Sequence, residues 1–295
     1  MIIISAGAGL GNQMFEYAFY MKICKTYPGT EVCLDPDYAF PRAHNGYEVE
    51  RIFGLKSNRA AKEDIYAIAD PAYLLACEES HSLVSKVKRK FGLRKASFLP
   101  QKDFSEYYED YFKLDKDRSW YLYGPFANSR YFADIKEEVL EKYQFPELDE
   151  SNMELADEIG RSESVSVHVR RGDYLEQGID LLGKEYYGKA MSIIEEKTGR
   201  SRDGLEYYVF SDDHVMAAEL FGDKKNVHYV THNKGDQGYR DMQLMSLCKH
   251  NIIANSSFSF WGGYLNRNED KIVVSSAKPF RGCRNPFSCE DWISI

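Results

Sequence analysis

Four short runs hold the side chains whose types and spacing could do chemistry. The first is His168-Val169-Arg170-Arg171-Gly172-Asp173. A guanidinium fork matches phosphate oxygens in a bidentate way. Fixed cations can also stabilise a departing anion without a metal. The structural alternative is a surface ion pair of Arg171 with Asp173. Asp173 and His168 are candidate general bases. A carboxylate beside two arginines is a weak base, however, because nearby cations lower its pKa, so the base stays unassigned. The second run is Ser211-Asp212-Asp213. Adjacent aspartates invite a Mg²⁺ reading, but a helix cap by Asp213 and a ligand-facing role for Asp212 explain the pair as well. The third run is Asn255-Ser256-Ser257, followed by Phe258-Ser259-Phe260-Trp261. Ser257 and Ser259, with the N–H groups of a helix start, could receive a phosphate. Ordinary N-capping by Ser256 or Ser257 is the alternative. The fourth is the turn Gly7-Ala8-Gly9-Leu10-Gly11-Asn12 with Gln13. Gly11 lets a ligand approach the backbone closely, and Asn12 and Gln13 could bond to hydroxyl groups.

Elements that would carry these runs follow from hydropathy pattern. Ile2–Ser5 reads as a buried strand that enters the glycine turn. A helix begins near Gln13, with Met14, Tyr17, Ala18 and Met21 at helical spacing. Further strands are expected at 32–35, 120–124, 164–169, 207–210, 227–230, 251–254 and 271–274. Helices are expected at 132–143, 184–198 and 241–249. Alternating strands and helices imply parallel sheets, and in open parallel sheets ligands bind beyond the carboxyl ends of the strands. Three of the polar runs fall at such ends in the second half, and the glycine turn falls at one in the first. Pro146-Glu147-Leu148-Asp149-Glu150 reads as a linker. The expected domains are therefore residues 1–150 and 151–295.

Composition removes several function classes. The 295 residues carry a net charge of −8, which argues against a nucleic-acid binder needing a basic footprint. Cysteines at 24, 33, 77, 248, 283 and 289 lack zinc-ligand spacing, and no metal is expected. Asp115-Lys116-Asp117 matches D-x-D literally but sits in a charged, exposed stretch. The start lacks a basic region followed by a long apolar one, so no signal peptide is expected. No apolar run of about 18 residues implies a membrane span. The default is a reduced, cytoplasmic protein. Lys86 to Lys95 is strongly basic, and reads either as a solvated helix end or as a patch leaning on anionic lipid at the inner membrane. The 22 Tyr and 17 Phe suit sugar-binding surfaces as well as cores. Asn12 in place of the last glycine of G-x-G-x-x-G argues against an NAD(P) oxidoreductase.

Four blocks together resemble family-11 glycosyltransferases, the α-1,2-fucosyltransferases. They are Gly9-Leu10-Gly11-Asn12-Gln13-Met14-Phe15-Glu16-Tyr17-Ala18, His168 to Tyr174, Phe210 to Asp213, and Met245 to Ser259. They come in the family's order and span nearly the whole chain. Phe260 departs from the family's usual Trp and loses an indole N–H donor. The resemblance implies an α/β, GT-B-like fold of two facing Rossmann-type domains with a cleft between them. It also implies an inverting, metal-free mechanism, GDP-fucose as donor substrate rather than cofactor, and a galactose-terminated glycan as acceptor. Carried over to this chain, the family's pyrophosphate role falls on Arg170 and Arg171, without deciding which bears the β-phosphate; the donor set expected around them is Asp212, Asn255, Ser256, Ser257 and Gly11. Asn12 and Gln13 face the acceptor. The lack of a membrane anchor fits a bacterial enzyme better than a secretory-pathway one. Alternatives are another linkage such as α-1,6, or a sugar- or nucleotide-binding module without turnover.

Overall fold

A computed structural model describes residues 1–41, 45–172, 174, 182–278, 280 and 282–295. The chain divides into two compact units, Met1–Gln144 and Phe145–Ile295. Each is built around its own parallel sheet, the α/β, GT-B-like class expected from the sequence.

In the first unit, β1 (Ile2–Ser5) lies between β2 (Val32–Asp35) and β4 (Trp120–Tyr123), with β3 (Phe98–Pro100) beside β4. All pairings are parallel, with Ile3 opposite both Cys33 and Tyr121. One sheet face buries Ile3, Cys33, Phe98 and Tyr121 against Ile65 of α3 (Lys62–Ile68) and Leu74. α1 (Leu10–Thr26) starts three residues earlier than the pattern suggests, because Gly9 already accepts from the Gln13 amide. It is enclosed on more than one side: Phe15, Ala18 and Phe19 are wholly buried along with Met14. Phe19 stacks on Phe126 with ring centroids 4.1 Å apart, and Tyr131 meets it edge-on. Most tyrosines thus build core rather than sugar-facing surface. The remaining helices are α2 (Val49–Phe53), α4 (Leu83–Lys90) and α5 (Lys136–Lys142).

The second unit's sheet has the order β10-β9-β8-β5-β6-β7, all parallel. Its strands are β5 (Ser164–Val169), β6 (Glu206–Ser211), β7 (Val227–Val230), β8 (His250–Ile252), β9 (Val273–Ser275) and β10 (Ile293–Ser294). From β5 the chain steps through β6 to β7, then returns to the other side of β5 as β8. This is the doubly wound order, with its reversal between β5 and β8. The helices are α6 (Glu150–Arg161), α7 (Lys184–Thr198), α8 (His214–Phe221), α9 (Tyr239–Leu247) and α10 (Ser257–Tyr264).

The break between units falls upstream of the expected 150/151 boundary. Pro146 already belongs to the second unit, since its carbonyl accepts from Arg240 Nη1 at 3.1 Å and Gln243 Nε2 at 3.0 Å. Asp149 caps α6 by accepting from the Asn152 amide. The stretch read as a linker is therefore a helix entry docked on the second unit.

Candidate active site

At the reversal of the second sheet, β5 ends in Val169-Arg170-Arg171 and β8 runs into Ala254-Asn255-Ser256. Both ends are held from below by adjacent tyrosines of α7. Tyr187 donates to the His168 carbonyl at 3.0 Å, and Tyr186 donates to the Ile253 carbonyl at 2.6 Å. Tyr174 closes the gap above. Its hydroxyl donates to the Asn255 carbonyl at 2.7 Å, and the Arg170 guanidinium lies 5.4 Å from its ring centroid.

The arginines are positioned by the aspartates at the end of β6. Arg170 Nη1 is 2.9 Å from Asp212 Oδ2, and the Arg171 amide donates to Asp212 Oδ1 at 2.9 Å. Arg171 Nε lies 3.4 Å from Asp213 Oδ2 without hydrogen-bond geometry, so that contact is one of charge alone. Gly172 makes this approach possible: a Cβ there would sit 2.7 Å from Asp212 Oδ2. Asp212 thus spends both oxygens on the arginine run. What the structure describes of Asp212 is the orientation of Arg170 and of the Arg171 amide. Asp213 caps α8, accepting from the Met216 amide at 3.0 Å. The alternative of a surface ion pair between Arg171 and Asp173 falls outside the described residues, because Asp173 is not among them.

His168 is buried, and its Nδ1 has no hydrogen-bond partner among the described residues. Burial, and then the Arg170 cation, push its pKa down to about 3. A general base works best with a pKa near the operating pH. The buried His168 ring stands beside Phe258, 5.8 Å away between ring centroids, an environment that fits a candidate general base poorly.

On the β8 side, Ser256 is the N-cap of α10, and its Oγ accepts from the Phe258 amide at 3.3 Å. Ser257 is half-buried in the first turn, its hydroxyl uncommitted among the described residues. Ser259 is not available to a ligand: it is fully buried and bonded to Ala254 and Ser256. Asn255 is buried and accepts from Asn285 Nδ2 at 3.0 Å. Phe260 is wholly buried among Trp261, Tyr264 and Trp292, so the departure from Trp is a packing matter.

The site therefore sets two cations, a helix amino terminus and a serine hydroxyl at one sheet reversal. A helix start and guanidinium forks both favour phosphate oxygens. Residues 73–294 match the family profile of Glycosyl transferase family 11. The chain belongs to that family. The match takes in the β5, β6 and β8 runs. Two Escherichia coli relatives align along nearly the whole length. The O-antigen biosynthesis glycosyltransferase WbnK is 28% identical over 97% of this chain and 98% of its own. An alpha-1,2-colitosyltransferase is 28% identical over 100% of this chain and 99% of its own. Among solved structures, the fucosyltransferase NodZ from Bradyrhizobium is similar over 88% of this chain and 91% of that one, at 12% identity and a TM-score of 0.46.

The first unit of this family-11 chain holds a site of its own, whose Arg59 is ion-paired with Glu50. A cavity of about 530 Å³ is lined by Gly7, Ala8, Asp37, Phe40, Asn45 and Arg59, with Gln13 and Tyr47 in its wall. Gln13 is buried and fully engaged. Its Nε2 donates to the Ala8 and Gly46 carbonyls, both at 2.8 Å, and its Oε1 accepts from the Glu48 amide at 2.7 Å. The sugar contact expected of Gln13 is thus replaced by a brace between the glycine turn and the 46–48 loop. Gly11 is buried inside the first turn of α1, while Asn12 is half-buried with no side-chain hydrogen bond among the described residues. Beneath the turn, Glu16 accepts from the Gly7 amide at 2.7 Å, and burial pushes its carboxyl well above the usual range. Asp115 bonds back to the Asp117 amide in an exposed loop, and among the described residues no cluster of three or more metal-ligating side chains forms.

Sequence reasoning missed Tyr174, Tyr186 and Tyr187 as supports, and Phe40 and Arg59 as cavity walls. The first three are legible only once the reversal is known. Phe40 and Arg59 sit in loops with no periodicity to place them.

Proposed function

We propose that this glycosyltransferase moves L-fucose from GDP-fucose to the 2-hydroxyl of a terminal galactose, with inversion and without a metal. The observation that carries the reading is the pair Arg170 and Arg171 at the β5 end, held by Asp212 and Asp213 beside the α10 amino terminus. In this reading the diphosphate lies along that edge, with Ser257 on a phosphate oxygen. As the C1–O bond to the diphosphate breaks, negative charge grows on the leaving oxygen, and the arginines and helix start stabilise it where it forms. The acceptor hydroxyl attacks from the opposite face in a single displacement, giving the inverted linkage. Its proton goes to a base that the described residues do not supply through His168. The acceptor sugar is assigned to the first unit's cavity, where the ring of Phe40 offers a face for a pyranose and Asp37, Asn45 and Arg59 offer hydroxyl partners. The α-1,2 linkage draws support from the four sequence blocks and from the name of the whole-length colitosyltransferase relative.

That relative also favours a second reading, in which the transferred sugar is colitose. Both are tested by GDP release and product linkage analysis, with lactose as acceptor and EDTA present. Lactose-dependent release from GDP-fucose, yielding an α-1,2 product in EDTA, supports the fucosyl reading. Release only from the colitosyl donor transfers the assignment to that sugar. Activity lost in EDTA and restored by Mg²⁺ or Mn²⁺ overturns metal independence.

A further inference from the structure

The basic stretch 86–95 does not behave as one solvated patch. Its cations divide into two sets. Arg89 donates to the Ser80 carbonyl at 2.7 Å and also to that of Ala72. Lys88 Nζ lies 3.3 Å from the buried Asp70 carboxylate, and Lys95 Nζ donates to the carbonyls of Tyr66 at 2.8 Å and Ala67 at 3.0 Å. Ser85 is buried and donates to the Glu79 carbonyl at 2.6 Å. The polar side of α4 is therefore the side fastened to the unit.

The apolar side faces outward. At about 100° per residue, Leu83, Val84, Val87 and Phe91 fall within one arc of roughly 100°. Their exposures are 80%, 68%, 51% and 68%, and Leu93 just beyond is 57% exposed. Five of the nine large exposed hydrophobics among the described residues thus lie in this one stretch. This reverses the usual orientation of a surface helix, which turns its apolar stripe to the core. Lys86, Lys90 and Arg94 are exposed beside the apolar arc. From Ser82 to Lys95 there is no acidic residue, in a chain of net charge −8.

An outward apolar stripe rimmed by cations is the pattern of a helix lying in the interface of an anionic membrane, with its apolar face below the headgroups. We propose that Leu83–Leu93 is a docking surface for an anionic phospholipid bilayer. Leu83, Val84, Val87, Phe91 and Leu93 enter the acyl boundary, and Lys86, Lys90 and Arg94 meet the lipid phosphates. Arg89, Lys88 and Lys95 hold the helix so that this face stays outward. The inference is independent of which sugar is transferred, and it goes beyond the transfer reaction.

The test is co-sedimentation of the full chain with vesicles of phosphatidylcholine alone and with 30 mol% phosphatidylglycerol added, about 0.1 M salt being used to leave surface charge effective. Binding to the anionic vesicles is expected to be at least tenfold tighter than to the neutral ones, and to weaken at about 0.5 M salt. The variant Leu83→Ser/Val87→Ser/Phe91→Ser should lose at least tenfold in vesicle binding, and Lys86→Glu/Lys90→Glu/Arg94→Glu should lose the preference for anionic lipid. Circular dichroism and GDP release with a soluble acceptor should be unchanged in both. Wild-type protein that ignores anionic vesicles, or a serine variant that binds them equally well, overturns the proposal. So does a wild-type dimer in light scattering that the serine substitutions convert to monomer without any lipid binding.

Discussion

Both sheets reverse their strand order beside their first strand, yet the two reversals carry opposite chemistry. In the second unit the β5 and β8 ends hold Arg170, Arg171 and a helix start, with Asp212 and Asp213 orienting the cations. In the first unit the β1 and β4 ends carry no arginine pair among the described residues, and Arg59, which lines the cavity there, is paired with Glu50 at 2.6 Å. Ser5 bridges them, donating to the Gly124 carbonyl and accepting from its amide at 3.0 Å. Gln13 is turned inward, and Glu16 is buried. Two residues other than glycine here have positive φ, Ala8 at 58° and Phe126 at 45°, a conformation that costs of order 1–2 kcal/mol in such residues. The same topology thus supplies one end suited to an anion and another suited to neutral hydroxyls. Fold places the sites, and the side chains at the strand ends decide what each receives.

If the comparison holds, the largest effects on donor use come from the second unit. Arg170→Ala and Arg171→Ala should each lower kcat/KM for GDP-fucose by roughly 10²–10³-fold, a loss of about 3–4 kcal/mol of transition-state stabilisation. Steady-state kinetics on folded variants checks this. Gly172→Ala comes next. Its Cβ would displace the Asp212 carboxylate, and with it Arg170, so donor kcat/KM should fall by roughly tenfold or more, while the melting temperature changes little.

The first unit should answer differently. Gln13→Ala strands two carbonyls and one amide of the glycine turn and its facing loop. Stability should drop by about 2–4 kcal/mol in urea unfolding, and acceptor KM should rise, with GDP affinity nearly unchanged. Loss of GDP affinity as large as that in the arginine variants would break the distinction.

The smallest expected effects are in pH dependence, and they have opposite sign. Glu16 has a folded pKa raised by burial. Its contribution is present below the ordinary carboxylate range and is lost as pH rises through the folded value. Glu16→Gln should therefore flatten the loss of stability on the alkaline side while keeping the bond to Gly7. His168 has a folded pKa depressed from 6.5 to about 3. Its contribution is present above about 6.5 and is lost as pH falls toward about 3. His168→Phe should flatten the acid side. Urea midpoints measured from pH 4 to pH 9 separate the two.

The sequence was most legible where period and chemistry coincided. Ser164–Val169, ending in Arg170 and Arg171, announces a strand and a site at once, and so does the β8 run into Ser256. Short elements were not legible: Phe98–Pro100 and Ile293–Ser294 are too brief to show alternation. α6 was hidden because the Pro146-to-Glu150 stretch reads as a linker, whereas Asp149 turns it into a cap. Gln13 and Asp212 were legible as important but not in role. Whether an amide or a carboxylate faces a ligand or braces its neighbours depends on partners far away in the chain, Gly46 and Glu48 for one and Arg170 and Arg171 for the other. α4 misled in another way. Its cations are obvious in the sequence, but which of them fasten the helix and which flank its apolar face is a property of the fold.

The most direct test of the account is calorimetric titration of GDP into wild-type protein and into folded Arg170→Ala and Arg171→Ala variants. The account predicts that wild type binds GDP and that at least one variant binds it about a hundredfold more weakly, since charge-assisted phosphate contacts are among the strong ones. Equal affinity in all three proteins would contradict it and place the pyrophosphate somewhere other than the β5 end.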